Sequence, residues 1–313
     1  MRAATIADGE VMVAEHPDPQ PGVGELLVRV RAAGINGADM LQRRGLYPAP
    51  AGAPPDIPGL ELAGEVVSCG PGVERFAEGD NVMAVVAGGG QAELAVVHER
   101  TALPVPPSLV WPQAGGAPEV FTTAHDALFT QAGLCMGERL LVHGGAGGVG
   151  TAAVQLGRCV GARVTATVRN PDLREQVEAL GVVVIEPEGF ADHGPWDVIL
   201  ELVGAPNLEA NMQSLAPSGR IAVIGVGAGA KGELNLLALM GKRARIMGST
   251  LRSRSLEEKA DAAREVERSV LPLLDAGAVF VPIAATYPLE RVHDAYEHFA
   301  AGGKLGKIVL VAE

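Results

Sequence analysis

The residues with most chemistry to offer lie in Leu140–Gly161, LLVHGGAGGVGTAAVQLGRCVG. A short apolar run, Leu140–Val142, enters the turn Gly145-Ala146-Gly147-Gly148-Val149-Gly150, and a segment with Ala152, Ala153, Leu156 and Val160 on one face leaves it. Glycines at this spacing let the backbone approach a pyrophosphate. A helix beginning there turns free N–H groups and the positive end of its dipole towards the negative charge. G-x-G-x-x-G alone arises by chance in a chain rich in alanine and glycine. Between a strand and a helix it reads as a dinucleotide site, with Gly145, Gly147, Gly148, Val149 and Gly150 as its contacts.

The next strand, Arg163–Val168, chooses the nucleotide. About 20 residues past the glycines an NAD site places an Asp or Glu on the ribose 2′-OH. Here that neighbourhood reads Arg169-Asn170-Pro171, with no carboxylate. Asn170 can cap a helix that begins at Pro171 and stops at Gly181. A 2′-phosphate at that point would meet the Arg169 guanidinium and the helix start beside Asn170. NADPH is the expected cofactor; the alternative is that Arg169 is an ordinary surface arginine.

At 313 residues the chain is long for one core, which points to two domains. Hydrophobic residues make up 48% and charged residues 20%, the balance of a folded chain rather than a disordered one. A net charge of −12 argues against nucleic acid as a partner. Cys69, Cys135 and Cys159 form no CxxC pair, so neither a disulfide framework nor a cysteine-rich zinc lobe is expected. The opening MRAATIADGEVMVAEHP has no long apolar core, so no signal peptide is expected there. No run reaches the ~18 apolar residues a membrane span requires, and the expected home is a reducing cytoplasm.

Two textures divide the chain. Up to about residue 118, short β segments (Ala3–Ile6, Leu26–Ala32, Leu62–Ser68, Asn81–Val86, Ala92–Val97) are broken by glycine and proline, the pattern of an irregular barrel. From there strand candidates alternate with helices: Leu140–His143, Val164–Val168, Val182–Ile185, Val198–Leu202, Ile221–Ile224 and Arg245–Gly248. That alternation predicts a doubly wound parallel sheet, hence an α/β protein. Ser255-Leu-Glu-Glu258 fits a capping box and opens an amphipathic helix closed by Gly277. The tail Gly306–Val311 reads as a strand returning to the first domain. The expected division is 1–118, 119–255 and a returning 256–313. A barrel joined to a nucleotide domain places substrate in the cleft between them. The stretch Arg31–Pro48, dense in polar groups just after a strand, supplies candidates to face it.

With GINGADMLQRRGLYP, Gly88-Gly-Gly-Gln-Ala-Glu93, HGGAGGVGTAAVQL and the closing LGKIVL, the chain resembles the medium-chain dehydrogenase/reductase superfamily over nearly its full length. Within it the similarity is to the zinc-independent quinone oxidoreductases of the zeta-crystallin type. The resemblance implies a GroES-like β-barrel catalytic domain, a Rossmann domain and NADPH. Zinc-dependent members hold their metal with a Cys, a His and a second Cys, whose places read Asn36, Leu60 and Glu119 here. No metal is therefore expected.

The same resemblance places Asn36, Asp39 and Tyr47 at the nicotinamide end. Asn36 would orient cofactor or substrate, and Tyr47 would donate a hydrogen bond or proton. Asp39 would fix the loop and the tyrosine. Capping remains an alternative for Asn36 and Asp39, and packing on prolines for Tyr47. Thr122 and Thr123 fall where the family makes cofactor contacts. Gly225 ends a strand in a loop suited to lie against the nicotinamide, and Lys307 could reach a phosphate. His143 reads as structural, while Arg43, Arg44, Arg252 and Arg254 are candidates for a basic substrate entrance. The implied activity is hydride transfer from NADPH to a quinone or similar conjugated carbonyl. An enoyl, 2-alkenal or enoyl-thioester reductase is the alternative, and an NADPH-binding structural or sensor protein with little turnover stands further off. The family also implies a homodimer joined through Arg243–Gly248.

Overall fold

The strand Glu25–Gly34 organises the first half of the chain because every second side chain points inward. In this computed structural model, which describes residues 1–312, Leu26, Val28 and Val30 are buried while Arg29 faces solvent. Such alternation gives a sheet with one apolar face. The strand pairs antiparallel with Glu61–Cys69, Leu94–His98 and Lys307–Val311. The full sheet runs Ile283–Pro288, Lys307–Val311, Glu25–Gly34, Glu61–Cys69, Asn81–Val85, Ala102–Pro104. Its core gathers Leu26, Val28, Leu62, Val66, Val82 and Val97. A hairpin, Arg2–Ala7 with Glu10–Glu15, packs with Ile35, Met40, Tyr296, Ile308 and Leu310 in a second apolar cluster.

This first unit comprises Met1–Thr122, Leu251–Gly302 and the segment from Lys307 onward. Ser255 opens the helix Leu256–Ser269, its hydroxyl and amide both held by the Glu258 carboxylate, as the capping-box spacing requires. Glu10–Glu15, Ala102–Pro104 and Ile283–Pro288 are strands beyond those the sequence pattern picks out.

The second unit comprises Thr123–Thr250 together with Gly303–Gly306. Six parallel strands lie in the order Val183–Ile185, Arg163–Thr167, Arg139–Val142, Trp196–Glu201, Leu215–Val223, Arg245–Gly248. In chain order this is 3-2-1-4-5-6, the doubly wound dinucleotide-binding topology. Leu141, Ile199 and Ile221 are fully buried on it, packed with Trp196 and Met212. Gly303–Gly306 leaves the first unit's chain segments: the Gly306 N–H donates to Ala146 O at 2.8 Å, and Gly306 bridges Gly147. The expected returning segment 256–313 is thus interrupted by four residues that belong with the glycine turn.

Candidate functional site

The loop that leaves Glu25–Gly34 carries Asn36, which begins the helix Gly37–Arg43. The Asp39 carboxylate reaches back to accept from Asn36 N–H at 2.8 Å and also accepts from Gly59 N–H at 3.1 Å. Gln91 Nε2 approaches it at 3.4 Å, and the Gln91 carbonyl accepts from the Tyr296 hydroxyl at 2.8 Å. Asp39 is 0% exposed, and burial pushes its carboxyl up to about 6, against the lowering effect of the two backbone donors. So enclosed, the Asp39 carboxylate ties the start of the helix Gly37–Arg43 to the Gly59 turn and leaves no oxygen open to a substrate.

The Asn36 side chain turns the other way. Its Oδ1 accepts from Lys307 Nζ at 2.7 Å, and its Nδ2 donates to Glu61 Oε1 at 2.9 Å. Lys307 Nζ also lies 2.6 Å from Glu61 Oε1 and donates to Ile35 O at 2.9 Å. Glu61 Oε2 accepts from Glu119 N–H at 2.9 Å. The pair is 3% and 0% exposed. Lys307 was expected to reach a phosphate; with its three donors committed inside the first unit, it has none to offer one, and that assignment is withdrawn. Both ends of the Asn36 amide are held by ionic partners.

Tyr47 is half-buried, and its hydroxyl has no hydrogen-bond partner among the described residues. Its loop is fastened by Arg252, which donates to Tyr47 O at 2.9 Å, Ala87 O at 2.7 Å and Gln42 Oε1 at 2.7 Å. The Arg252 guanidinium also lies 5.1 Å from the Tyr47 ring centroid. Burial raises the phenol above its ordinary value, with Arg252 opposing, so near neutral pH it is a hydrogen-bond donor. Arg43 is bound to Gly9 O, Glu10 and Glu297. Two of the four arginines proposed for a basic entrance, Arg43 and Arg252, are therefore structural.

In the second unit the helix Gly148–Cys159 starts at Gly147 without any side-chain cap. The first-turn amides, including those of Val149 and Gly150, have no intrahelical acceptor and are available to an anion. A Cβ at Gly145 would lie 2.7 Å from Ala166 Cβ, and one at Gly150 would lie 2.3 Å from Gly144 O. The fold itself needs those two glycines. A Cβ on Gly147 would meet nothing closer than 3.5 Å, so the fold does not need this one; its bare surface suits a pyrophosphate. Asn170 Oδ1 accepts from Asp172 N–H at 3.0 Å and caps the short turn Pro171–Leu173. Arg169 is exposed and has no partner among the described residues. Thr123 is buried in the helix Pro118–His125. The segment Gly303–Gly306 against the glycine turn had no local signal, because only long-range pairing brings it there.

Residues 22–107 match the alcohol dehydrogenase GroES-like domain, and residues 148–268 match the zinc-binding dehydrogenase family. The quinone oxidoreductase of Rattus norvegicus is 32% identical over 305 residues, covering 94% of this chain and 91% of that protein. The chain belongs to the medium-chain dehydrogenase/reductase superfamily, in its quinone-oxidoreductase-like branch. Polyketide synthase GfsB of Streptomyces halstedii is 34% identical over 294 residues; the match takes in 92% of this chain and 5% of the synthase. A mycobacterial structure complexed with NADPH is similar with a TM-score of 0.88 and 27% identity, covering 99% of this chain and 100% of the other. The protein is a nicotinamide-dinucleotide oxidoreductase of small molecules, with the GroES-like and Rossmann folds expected. The zinc in one family's name does not suit this chain's donors. Leu60 offers no ligand atom, and the Asn36 amide is already bound at both ends.

The Asp39 environment makes a pH prediction. Unfolded, this carboxyl loses its proton near 4; folded, near 6. Its contribution to stability is therefore fully present below pH 4 and disappears as pH rises through 6, by roughly 3 kcal/mol over the window. Urea unfolding of wild type and Asp39→Asn at pH 4, 5 and 6 should show the wild type losing ground to the variant with each step. A constant difference between the two would contradict the assignment.

Proposed function

We propose that the protein is a metal-independent NADPH-dependent reductase of quinones or similar conjugated carbonyls. The observation that carries this reading is Tyr47: a protonated phenol, held in place by Arg252, with its hydroxyl uncommitted. When bound, the nicotinamide supplies a hydride. The glycine turn at Gly145–Gly150 would hold the pyrophosphate and Thr123 and Gly225 would contact the cofactor, while Arg169 beside Asn170 would bind the 2′-phosphate. Tyr47 would donate a hydrogen bond to the acceptor oxygen and, with solvent behind it, the proton that balances the hydride in forming a hydroquinone. Asn36, clamped by Lys307 and Glu61, would present a fixed polar surface rather than move a proton. A quinone gains aromatic stabilisation on reduction, so this chemistry asks no Lewis acid of the protein.

The similarity to a polyketide synthase segment favours a second reading, reduction of an enoyl thioester or 2-alkenal. There Tyr47 would supply the proton to carbon.

The second unit also supports a homodimer in which Arg245–Gly248 meets its counterpart in a second copy. This strand closes one edge of the sheet, and the helix before it exposes Leu236 (63%), Leu237 (79%) and Met240 (70%). An uncovered strand edge flanked by apolar side chains is a surface that proteins cover.

Kinetics and light scattering test these proposals. Arg169→Glu should raise the KM for NADPH about 10- to 100-fold, the range of a lost charge-assisted contact, and leave that for NADH nearly unchanged. Equal effects on both would remove the 2′-phosphate role. Tyr47→Phe should lower kcat about 100-fold with the preferred acceptor. Steady-state assays over benzoquinones, 2-alkenals and enoyl thioesters identify that acceptor. Consumption of NADPH with thioesters but not quinones would choose the second reading, and binding without turnover on any of them would sink both. Light scattering should give twice the 32.2 kDa chain mass for wild type and the single mass for Leu237→Glu/Met240→Glu. A wild-type monomer would exclude the dimer.

A further inference from the structure

His143 is 1% exposed and lies between the strand Arg139–Val142 and the glycine turn. Its Nε2 is 2.8 Å from Asn211 Oδ1, and its Nδ1 is 3.1 Å from Thr167 Oγ1. The directions of these bonds follow from their surroundings. Asn211 Nδ2 donates to Glu201 Oε2 at 2.7 Å, so Asn211 presents its carbonyl oxygen to the ring and His143 Nε2 must carry the proton. In a neutral ring Nδ1 is then an acceptor, and the Thr167 hydroxyl donates to it. That leaves the Thr167 oxygen to accept from Gly144 N–H at 3.3 Å.

One ordered chain results, running Gly144 N–H to Thr167, Thr167 O–H to His143, His143 N–H to Asn211 and Asn211 N–H to Glu201. At its far end Glu201 Oε1 accepts from Val203 N–H at 2.7 Å and Gly204 N–H at 2.8 Å. Val203 O in turn accepts from Ala228 N–H at 2.9 Å. A Cβ on Gly225 would lie 2.4 Å from Leu202 O, so the Gly225 loop is seated directly on this turn. Burial holds His143 below its ordinary value and so keeps it neutral, against the raising influence of Glu201 and Asn211.

We propose that neutral His143, as its Nε2–H tautomer, is a positioning residue that sets the glycine turn at Gly144 and the Val203–Gly204 turn together for dinucleotide binding. It touches neither cofactor nor substrate and acts through the Thr167 hydroxyl and the Asn211 amide. The inference rests on the dinucleotide reading of the turn. A protonated ring would need acceptors on both nitrogens. Thr167 would then have to turn its hydroxyl hydrogen away from His143 while still accepting from Gly144.

The test uses Thr167→Val, which keeps the shape of the side chain and removes the hydroxyl, beside Thr167→Ser, which restores it. In cofactor-free protein, nitrogen-15 NMR should show His143 protonated at Nε2 alone. The Gly144 amide should exchange its hydrogen about tenfold faster in Thr167→Val and at the wild-type rate in Thr167→Ser. Calorimetry should then find NADPH binding about five- to tenfold weaker in Thr167→Val, with kcat at saturating cofactor within about twofold, the size expected for one neutral hydrogen bond. A ring protonated at Nδ1, or a Thr167→Val variant that binds NADPH like wild type, overturns the proposal. Absence of NADPH binding by wild type would refute the nucleotide reading instead, since the tautomer and exchange measurements need no cofactor.

Discussion

A buried ion pair underlies the first unit. Lys307 and Glu61 meet at 2.6 Å with almost no exposure, on strands that are not neighbours in their sheet. Taking two charges out of water costs several kcal/mol each, and attraction offsets this only where the remaining donors and acceptors are also satisfied. Here they are: the ammonium has Ile35 O and Asn36 Oδ1 besides its carboxylate, and the carboxylate has Asn36 Nδ2 and Glu119 N–H. The pair thereby pins the start of the helix Pro118–His125, the last strand and the loop that opens the candidate site. Removing either partner alone would strand a charge in the interior. A metal at Asn36 would have to displace bonds that the fold already uses.

The opposite case is equally informative. Most polar side chains considered for chemistry are taken up by the protein. Asp39 holds two backbone amides, Arg252 three oxygens, and Arg43 a carbonyl and two carboxylates. The Tyr47 hydroxyl and the Arg169 guanidinium stand apart because nothing among the described residues engages them. A buried network satisfied from within contributes rigidity. A positioned group left without a partner has its hydrogen-bonding capacity in reserve for a ligand. Asp39 and Lys307 are spent within the fold, whereas the Tyr47 hydroxyl and the Arg169 guanidinium are not.

The elements that were legible in the sequence were those whose physics is local. The glycine turn, the Asn170 cap and the Ser255 capping box each depend on residues a few positions apart, and the alternation along Leu26–Val30 gives its strand directly. Arg245–Gly248 was likewise visible as a β run. What escaped depends on distance along the chain. Lys307 looks like a strand-edge lysine until Glu61, far upstream, is folded against it. Arg252 reads as a rim residue until Gln42 and Tyr47 O come within reach. Gly303–Gly306 carries no signature because its place is set by the Gly306 N–H bond to Ala146. The strand Ile283–Pro288 is identified by its parallel pairing with Lys307–Val311, which local alternation does not encode.

The two units fix their working loops by the same device with different charges. In the first, a carboxylate and an ammonium hold an asparagine amide from both sides, so its orientation is determined without contact to any ligand. In the second, a carboxylate holds an asparagine whose carbonyl then dictates the tautomer of a histidine, and through it the direction of a threonine hydroxyl. An amide has one donor end and one acceptor end, so a charge placed at either end removes the freedom to flip. Direction, once set at Glu201, is carried along the bonds through Asn211, His143 and Thr167 to the Gly144 N–H of the glycine turn. An oxidoreductase that seats a dinucleotide on such turns needs them stiff before its ligands arrive.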